Sequence, residues 1–516
     1  MKPHATTPPC SRRKFLSGCA ACAGGMLLGP KLSRAGLSVR RSGMPKIRLV
    51  FCEVVNDVPI WPNIGYDFDA RRERMLKLLT NGCPDVEFLV TRLMDGPTEA
   101  DGVLEKNGEV DGYLICVQGL GWRNDIVKLC ATGKPTLLVD NLFGGSGLFL
   151  DRQPRIMGKG NPVDWVSSSD DDDIVGSALS FALLAEGKSG AEVAAAFRAS
   201  RRENTPEETD WACARDEVRE RDFEEALEEL AQKRILVVGG GWGGDEFRGK
   251  AKALLGCELK PIDFKELKAA HLAADLDEAK AVAARWMETA QEVVEPEPAE
   301  IEKSASIYLG MKQLIEQHGA HGISVNCLGG FYGGHLSAYP CLGFAQLNDD
   351  GLVGGCEADQ MSALTMATIG SLAGRPGFIS DPVIDTSRNE IIYAHCVAMT
   401  RPFGTEGPMN PFRIRNHSED RKGASIQSLL PAGYLTTTLE INLVTRQVLF
   451  HQAKTTSNND SDMACRTKLA AAVKGDIEKL TEEWRMGWHR VTFYGDLRPQ
   501  VVALCDRFGL ELIEEA

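Results

Sequence analysis

The chain has 516 residues, of which 43% are apolar and 25% are charged, a composition typical of soluble globular proteins. This length exceeds what one hydrophobic core organises, so two to four domains are expected. The net charge of −14 disfavours nucleic acid and anionic membranes as partners, because both need clustered Lys and Arg. No apolar run of ~18 residues follows the first 30 residues, so no membrane span is expected in the mature chain.

The N-terminus has the layout of an export signal. No Asp or Glu precedes Glu53, and Arg12 and Arg13 in "SRRKFLSGCAACAGGMLLG" stand before a Gly/Ala-rich apolar segment. This pattern predicts a twin-arginine-type signal over 1–36, with "SRAG" as its cleavage region, whereas a disordered basic tail is the alternative. The signal predicts a periplasmic or otherwise exported protein. The twin-arginine machinery passes folded proteins, so a metal or cofactor could be loaded in the cytoplasm.

The cysteines do not form an obvious zinc motif. Twelve of the fifteen lie beyond the predicted signal, and none of those twelve forms a CxxC pair. This scatter disfavours a structural zinc site and favours small buried side chains, while leaving disulfide pairing open.

Strand and helix patterns alternate in the first two thirds of the chain. "KIRLVFCEVV" predicts a buried strand and 69–82 a helix, and the repetition of this pattern predicts an α/β fold with parallel sheets. We expect an N-terminal α/β domain over 46–165 and a second, also Rossmann-like, over 166–350. Consecutive β-branched and aromatic runs predict a β-rich C-terminal domain over 351–516, as a barrel or folded sheet, with helix mainly at 468–485.

One predicted strand is followed by glycines with the spacing of a dinucleotide-binding motif. In "VVGGGWGG", Gly239, Gly241 and Gly244 match GxGxxG, and Asp263 lies near the spacing at which a ribose-binding acid would be needed. Glycines are also common after parallel strands because the chain turns tightly there. The pattern therefore supports either a nucleotide site or a structural turn.

Acidic and histidine side chains stand near the ends of several predicted strands. Glu357 follows "GLVGGC", Asp381 follows "FIS", His395 follows "IIYA", and His489 precedes "RVTFYGD". Two carboxylates with one or two imidazoles suit a divalent ion such as Mn²⁺ with open positions for substrate. Asp359 is expected only to cap the following helix. Ordinary turn and hydrogen-bonding roles remain the alternative for each residue.

The stretch "PCLGFAQLNDDGLVGGCEADQ", the 24-residue step from Glu357 to Asp381 and the late "WHRVTFYGD" resemble the L-fucose isomerase and L-arabinose isomerase superfamily. The resemblance is clearest over 305–496. It implies a Mn²⁺-dependent aldose–ketose isomerase in which Glu357, Asp381 and His489 hold the metal. The arabinose branch implies His395 as a fourth ligand.

The resemblance also implies a homo-oligomer whose subunits share active sites. His335, in "GGFYGGHLSAYP", would then contact a sugar hydroxyl, although a plain loop histidine is an equal alternative. Members of the superfamily act in the cytosol, so an export signal leaves the physiological sugar open.

Aldose–ketose interconversion through an enediol moves a proton between C1 and C2, which requires a polarised carbonyl and a carboxylate base. Glu357 and Asp381 are both candidates for that base. The alternatives are an exported NAD(P)-dependent sugar oxidoreductase that uses the glycine motif and a non-catalytic sugar-binding protein.

Overall fold

A computed structural model describes residues 43–94, 99–121, 125–219 and 221–516. The predicted export signal lies outside these residues. Ser42–Ala516 cluster as one unit, so the three domain ranges stay a prediction. Within the described part of the chain, every helix is too short or too polar to cross a membrane.

The N-terminal region alternates strands with helices, as predicted. Its elements are β1 (Lys46–Cys52), α1 (Phe68–Gly82), β2 (Glu87–Leu93), α2 (Glu99–Leu104), a 3₁₀ turn (Asn107–Glu109), β3 (Gly112–Val117), α3 (Asp125–Cys130), β4 (Thr136–Asp140), α4 (Ser146–Ile156), β5 (Val163–Val166), α5 (Asp171–Ala178), a 3₁₀ helix (Leu179–Leu184) and α6 (Gly190–Asn204). The strands are parallel in the order β2–β1–β3–β4–β5. Helices α5 and α6 still pack on β4 and β5, so this layer extends beyond 165.

A second parallel sheet follows. Its region contains α7 (Phe223–Gln232), β6 (Arg234–Val238), α8 (Gly244–Leu255), β7 (Glu258–Ile262), α9 (Phe264–Ala273), α10 (Leu276–Thr289), β8 (Glu292–Val293), α11 (Pro298–Gln317), β9 (Gly322–Val325), α12 (Cys327–Tyr332), α13 (Cys341–Asp349), β10 (Val353–Cys356) and α14 (Gln360–Ala373). The sheet order is β10–β9–β6–β7. Strand β10 completes this sheet although it lies past the predicted boundary at 350.

The C-terminal region is rich in antiparallel strands, as predicted. It contains β11 (Phe378–Asp385), β12 (Glu390–His395), β13 (Phe412–Arg415), β14 (Ser425–Ser428), β15 (Leu435–Asn442), β16 (Gln447–Asn458), β17 (Thr467–Val473), α15 (Ile477–Glu482), β18 (Arg490–Tyr494), α16 (Arg498–Phe508) and β19 (Glu511–Glu514). Strands β15–β18–β11–β12–β17–β16 follow one another, and pairing of β15 with β16 closes them into a barrel. Strand β19 adds to β16, and β8, β13 and β14 form a small sheet.

The helix α14 joins the second sheet to the barrel. Its sequence, QMSALTMATIGSLA, is apolar or small on all sides, which is typical of a helix that is covered all round. It packs against β6 and β10 on one side and against β15 and β18 on the other. The turn that precedes α14 is therefore held between the parallel sheet and the barrel.

The prediction of helix over 468–485 was wrong for its first part. Residues 467–473 form β17, which pairs with β12 and β16, and helix within the range 468–485 is confined to α15, while α16 lies beyond that range. The run of three alanines favours helix locally, but pairing on both edges inside the barrel outweighs that preference.

Candidate functional site

The carboxylate of Glu357 is presented by an unusual turn. Glu357 and Ala358 follow β10 with φ of 58° and 50°, a left-handed conformation that costs non-glycine residues on the order of 1–2 kcal/mol each. The glycine loop packs against this turn so closely that a Cβ on Gly241 would lie 2.0 Å from the Ala358 carbonyl oxygen. The glycine loop therefore supports the turn that carries Glu357.

Three further site residues come from adjacent barrel strands. His395 is the last residue of β12, as predicted, and His489 directly precedes β18. The prediction that Asp381 ends a strand was wrong, because β11 continues to Asp385 through its pairing with β12. Pairing of β11 with β18 nevertheless stops at Ser380, before a proline that has no N–H to donate. Asp381 thus lies where β11 no longer pairs with β18, although it still pairs with β12.

The four predicted ligands meet in space. His489 Nε2 lies 3.4 Å from Asp381 Oδ1 and 3.7 Å from Glu357 Oε2. His395 Nε2 lies 3.9 Å from Glu357 Oε1. Ligand atoms of Asp381, His395 and His489 all lie within 4.8 Å of one another, and so do those of Cys356, Glu357 and His395. The arrangement joins the end of a parallel strand to one end of the barrel.

Asp359 does more than cap α14, which corrects the expectation from sequence. Its Oδ1 accepts hydrogen bonds from the backbone N–H groups of Met361 and Ser362, at 3.0 and 3.1 Å. Its Oδ2 accepts from Ser362 Oγ and lies 2.9 Å from His489 Nδ1. The side chain therefore fixes both the helix start and the orientation of the His489 ring.

The charges in this cluster depend on one another. Burial raises the pKa of Glu357, and the negative charge of Asp381 adds to this effect although His489 opposes it. Burial alone would raise the pKa of Asp359, but the hydrogen bond and charge of His489 and the Ser362 donors lower it overall. Burial alone would lower the pKa of His489, yet Asp359 and Asp381 raise it well above the ordinary value. The acidic side chains around His489 therefore favour the protonated form of its ring when no cation is bound.

A cavity of about 240 Å³ opens over this cluster. Glu357, Asp381 and His395 line its polar side. Trp61, Trp242 and Trp488 are part of its apolar wall, a combination common in small-molecule sites.

Two cavity residues were missed by the sequence analysis. His417 and Glu419 lie between β13 and β14, in a loop without any strand-end or spacing signal. Burial raises the pKa of Glu419 to about 8, so this carboxyl can donate a hydrogen bond at neutral pH. Burial alone would lower the pKa of His417, but Asp420, whose Oδ1 lies 3.4 Å from Nδ1, helps to raise it to about 9.

His335 is not among the residues that line this cavity. It is exposed, and its ring stacks on Phe264 with ring centroids 4.8 Å apart. A role for His335 in sugar binding therefore requires the second subunit that the sequence resemblance implies.

The glycine motif forms the strand–turn–helix unit of a dinucleotide fold, with α8 beginning at Gly244. The contacts of Gly241 and Asp263 do not favour nucleotide binding. The space beside Gly241, which a pyrophosphate would approach, holds the backbone of Ala358. Asp263 caps α9 by accepting from the Glu266 N–H at 3.0 Å. These contacts support the structural interpretation of the motif.

The side chains fit a divalent cation. Two ligand atoms that each lie ~2.1 Å from one ion at right angles are about 3 Å apart. The spacings of 3.4 and 3.7 Å from His489 Nε2 to the carboxylates of Asp381 and Glu357 are close to that value. Two carboxylates and one imidazole form a donor set suited to Mn²⁺.

Partial sequence similarity links this chain to sugar isomerases. No family model matches it. A sulfoquinovose isomerase of Clostridium sp. (strain MSTE9) is 24% identical over 214 residues, which cover 40% of this chain and 46% of that protein. Sulfoquinovose isomerases of Alkalicoccus urumqiensis and Priestia aryabhattai are 27% and 26% identical over 122 and 138 residues, or 22% and 26% of this chain and 27% and 30% of theirs. The chain thus spans less than half the length of these curated relatives.

Solved structures overlap only weakly. A sugar ABC transporter from Yersinia enterocolitica subsp. enterocolitica 8081 gives a TM-score of 0.15 at 14% identity, over 55% of this chain and 66% of that one. The benzoate complex of an ABC transporter solute binding protein from R. palustris gives 0.20 at 14% identity, over 84% and 98%. At these scores neither structure supports an inference about this chain.

Proposed function

We propose that this chain is a divalent-metal-dependent aldose–ketose isomerase that acts on a free sugar through an enediol. Three side chains would hold the cation, Glu357, Asp381 and His489, and Mn²⁺ is the ion that the donor set suits best. The similarity to sulfoquinovose isomerases over part of the chain supports the activity, although it does not name the sugar.

The observation that carries this proposal is the orientation of His489. Asp359 accepts the Nδ1–H, so the Nε2 nitrogen faces Asp381 and Glu357 at 3.4 and 3.7 Å. A carboxylate behind a histidine is the arrangement that fixes a metal-ligating imidazole and raises its basicity. A cation would replace the Nε2 proton, which the surrounding carboxylates otherwise retain.

When bound, the cation would supply the Lewis acidity that polarises the sugar carbonyl. Side chains of the protein would carry out the proton transfer between the carbons. A carboxylate of Glu357 or Asp381 removes the proton from C2 of the aldose and returns it to C1, while the hydroxyl proton passes from O2 to O1, so that no net proton is consumed. The tryptophans of the cavity wall would face the apolar side of a bound sugar.

A ketose assay on metal-loaded protein tests the proposal. Protein stripped with a chelator would be reloaded with Mn²⁺ and mixed with neutral aldoses and with sulfoquinovose, and ketose would be detected by NMR. Turnover should require the metal and should be lost in Glu357→Gln. Glu440→Gln is a matched control, because Glu440 is also a buried carboxyl whose pKa is raised by burial and by the charge of Asp359, and it is not among the residues that line the cavity.

The proposal also includes the oligomeric state and the cellular location of the protein. We infer a homo-oligomer in which His335 of one subunit reaches the cavity of another, and an exported location reached through the twin-arginine machinery. Light scattering that gives a ~56 kDa species with full activity would exclude the shared site.

A further inference from the structure

One ring nitrogen of His395 is already engaged. The backbone N–H of Cys396 donates a hydrogen bond to His395 Nδ1 at 3.0 Å. A backbone N–H can only donate, so Nδ1 must present its lone pair to this bond. In a neutral imidazole the remaining proton then sits on Nε2. His395 is therefore held as the tautomer whose outer nitrogen is a donor.

That outer nitrogen faces the cavity. His395 is only 2% exposed and lines the cavity, and its Nε2 has no hydrogen-bond partner among the described residues. Glu357 Oε1 lies 3.9 Å from this nitrogen, which is too far for a hydrogen bond. A buried donor without a partner is unfavourable, so this N–H is poised for an acceptor that enters the cavity.

His489 shows the opposite arrangement. Its Nδ1 faces Asp359, and that carboxylate also accepts from two backbone N–H groups and one hydroxyl, which makes it an acceptor toward His489 as well. When a cation takes the place of the Nε2 proton, the remaining proton of His489 therefore lies on Nδ1, facing Asp359. The ring centroids of the two histidines are 5.5 Å apart, and their Nε2 atoms therefore differ in role: a cation ligand in His489 and a hydrogen-bond donor in His395.

We propose that His395 is a substrate-contacting residue that donates its Nε2–H to a sugar oxygen, and that it is not a metal ligand. This inference rests on the proposed function and departs from the four-ligand expectation drawn from the sequence. The acceptor is a hydroxyl or carbonyl oxygen of an open-chain sugar beside the cation. A donor fixed there favours the oxygen on which negative charge develops during enediol formation.

Metal binding and turnover separate this role from ligation. His395→Ala should bind Mn²⁺ within about twofold of the unmodified protein, whereas His489→Ala should lose at least about tenfold in affinity. In the ketose assay, kcat/KM should fall for His395→Ala and recover in part for His395→Gln, which restores an N–H donor. Asp263→Asn, at the cap of α9, is the control for general effects of substitution.

A spectroscopic readout covers the case in which these variants fail to fold. Long-range ¹H–¹⁵N NMR of histidine-labelled protein, loaded with diamagnetic Mg²⁺, should show His395 protonated on Nε2 and bare on Nδ1. Equal loss of Mn²⁺ affinity in the two alanine variants, or a deprotonated and metal-shifted Nε2 in His395, would overturn the inference. Absence of ketose from every sugar would instead contradict the proposed function and leave these metal and NMR results readable.

Discussion

Replacing Asp359 by asparagine separates its two roles at the start of α14. Asparagine caps helices about as well as aspartate, so the bonds from the Met361 and Ser362 N–H groups should persist within a few tenths of a kcal/mol. The change removes the charge that faces His489 and brings an amide N–H toward its Nδ1–H. The ring then loses the partner that fixes its tautomer.

The expected magnitude follows from that lost partner. Removing the group behind a metal-ligating histidine typically costs 10–100-fold in metal affinity, or about 1.4–2.7 kcal/mol. We therefore expect Asp359→Asn to weaken Mn²⁺ binding by about that factor with little change in the free energy of unfolding. Asp359→Ala should show the same loss of affinity and, in addition, cost about 1 kcal/mol of stability through the missing cap.

Calorimetric titration with Mn²⁺ and urea unfolding measure the two quantities independently. Asp263→Asn is the matched control, since Asp263 caps α9 in the same way and is not among the residues that line the cavity. Unchanged Mn²⁺ affinity in Asp359→Asn would show that the Asp359 charge does not support metal binding by His489. In that case Asp359 would be a helix cap alone.

Three other predictions concern residues other than the four ligands. Burial raises the pKa of Asp140 to about 7, so the folded chain retains a proton that the unfolded chain releases above about pH 4, and stability should fall as pH rises from about 4 to 7. Asp140→Asn should flatten this part of the urea-unfolding profile, and an unchanged slope would contradict the assignment. Lysine at both Arg12 and Arg13 should retain the protein in the cytoplasm on cell fractionation, and normal export would rule out the twin-arginine signal. The Sγ atoms of Cys327 and Cys356 lie 3.1 Å apart and both residues line the cavity, so a small oxidant that enters the cavity, such as hydrogen peroxide, should link them. Peptide mass spectrometry that finds both thiols free after this treatment would show that they cannot pair.

The sequence predicted the type of most elements because their patterns were strong. Apolar strand runs followed by amphipathic helices specified two parallel sheets, and β-branched runs specified the barrel region. The Ala-rich run at 468–473 was misassigned, because its strand state depends on neighbours 70 or more residues away in β12, which the sequence alone does not bring together. Local preference and long-range pairing favour different structures there.

The candidate ligands were found by residue type and position, but their roles depend on contacts that spacing does not encode. The contact between Asp359 and His489 depends on how α14 packs between the sheet and the barrel. The difference between His395 and His489 rests on single hydrogen bonds to Nδ1. Glu419 lies in a loop, so only its burial beside the cavity indicates a role.

The most direct test of the account is the isomerase reaction run in deuterated water with Mn²⁺-loaded protein. An enediol mechanism lets the proton held by Glu357 or Asp381 exchange with solvent, so the ketose should carry deuterium at C1. We predict deuterated ketose from at least one aldose, about one Mn²⁺ per chain, and neither product nor exchange in Glu357→Gln. Fully loaded protein that yields no ketose from any aldose, or a Glu357→Gln variant with the same rate and the same deuterium content, would contradict the account.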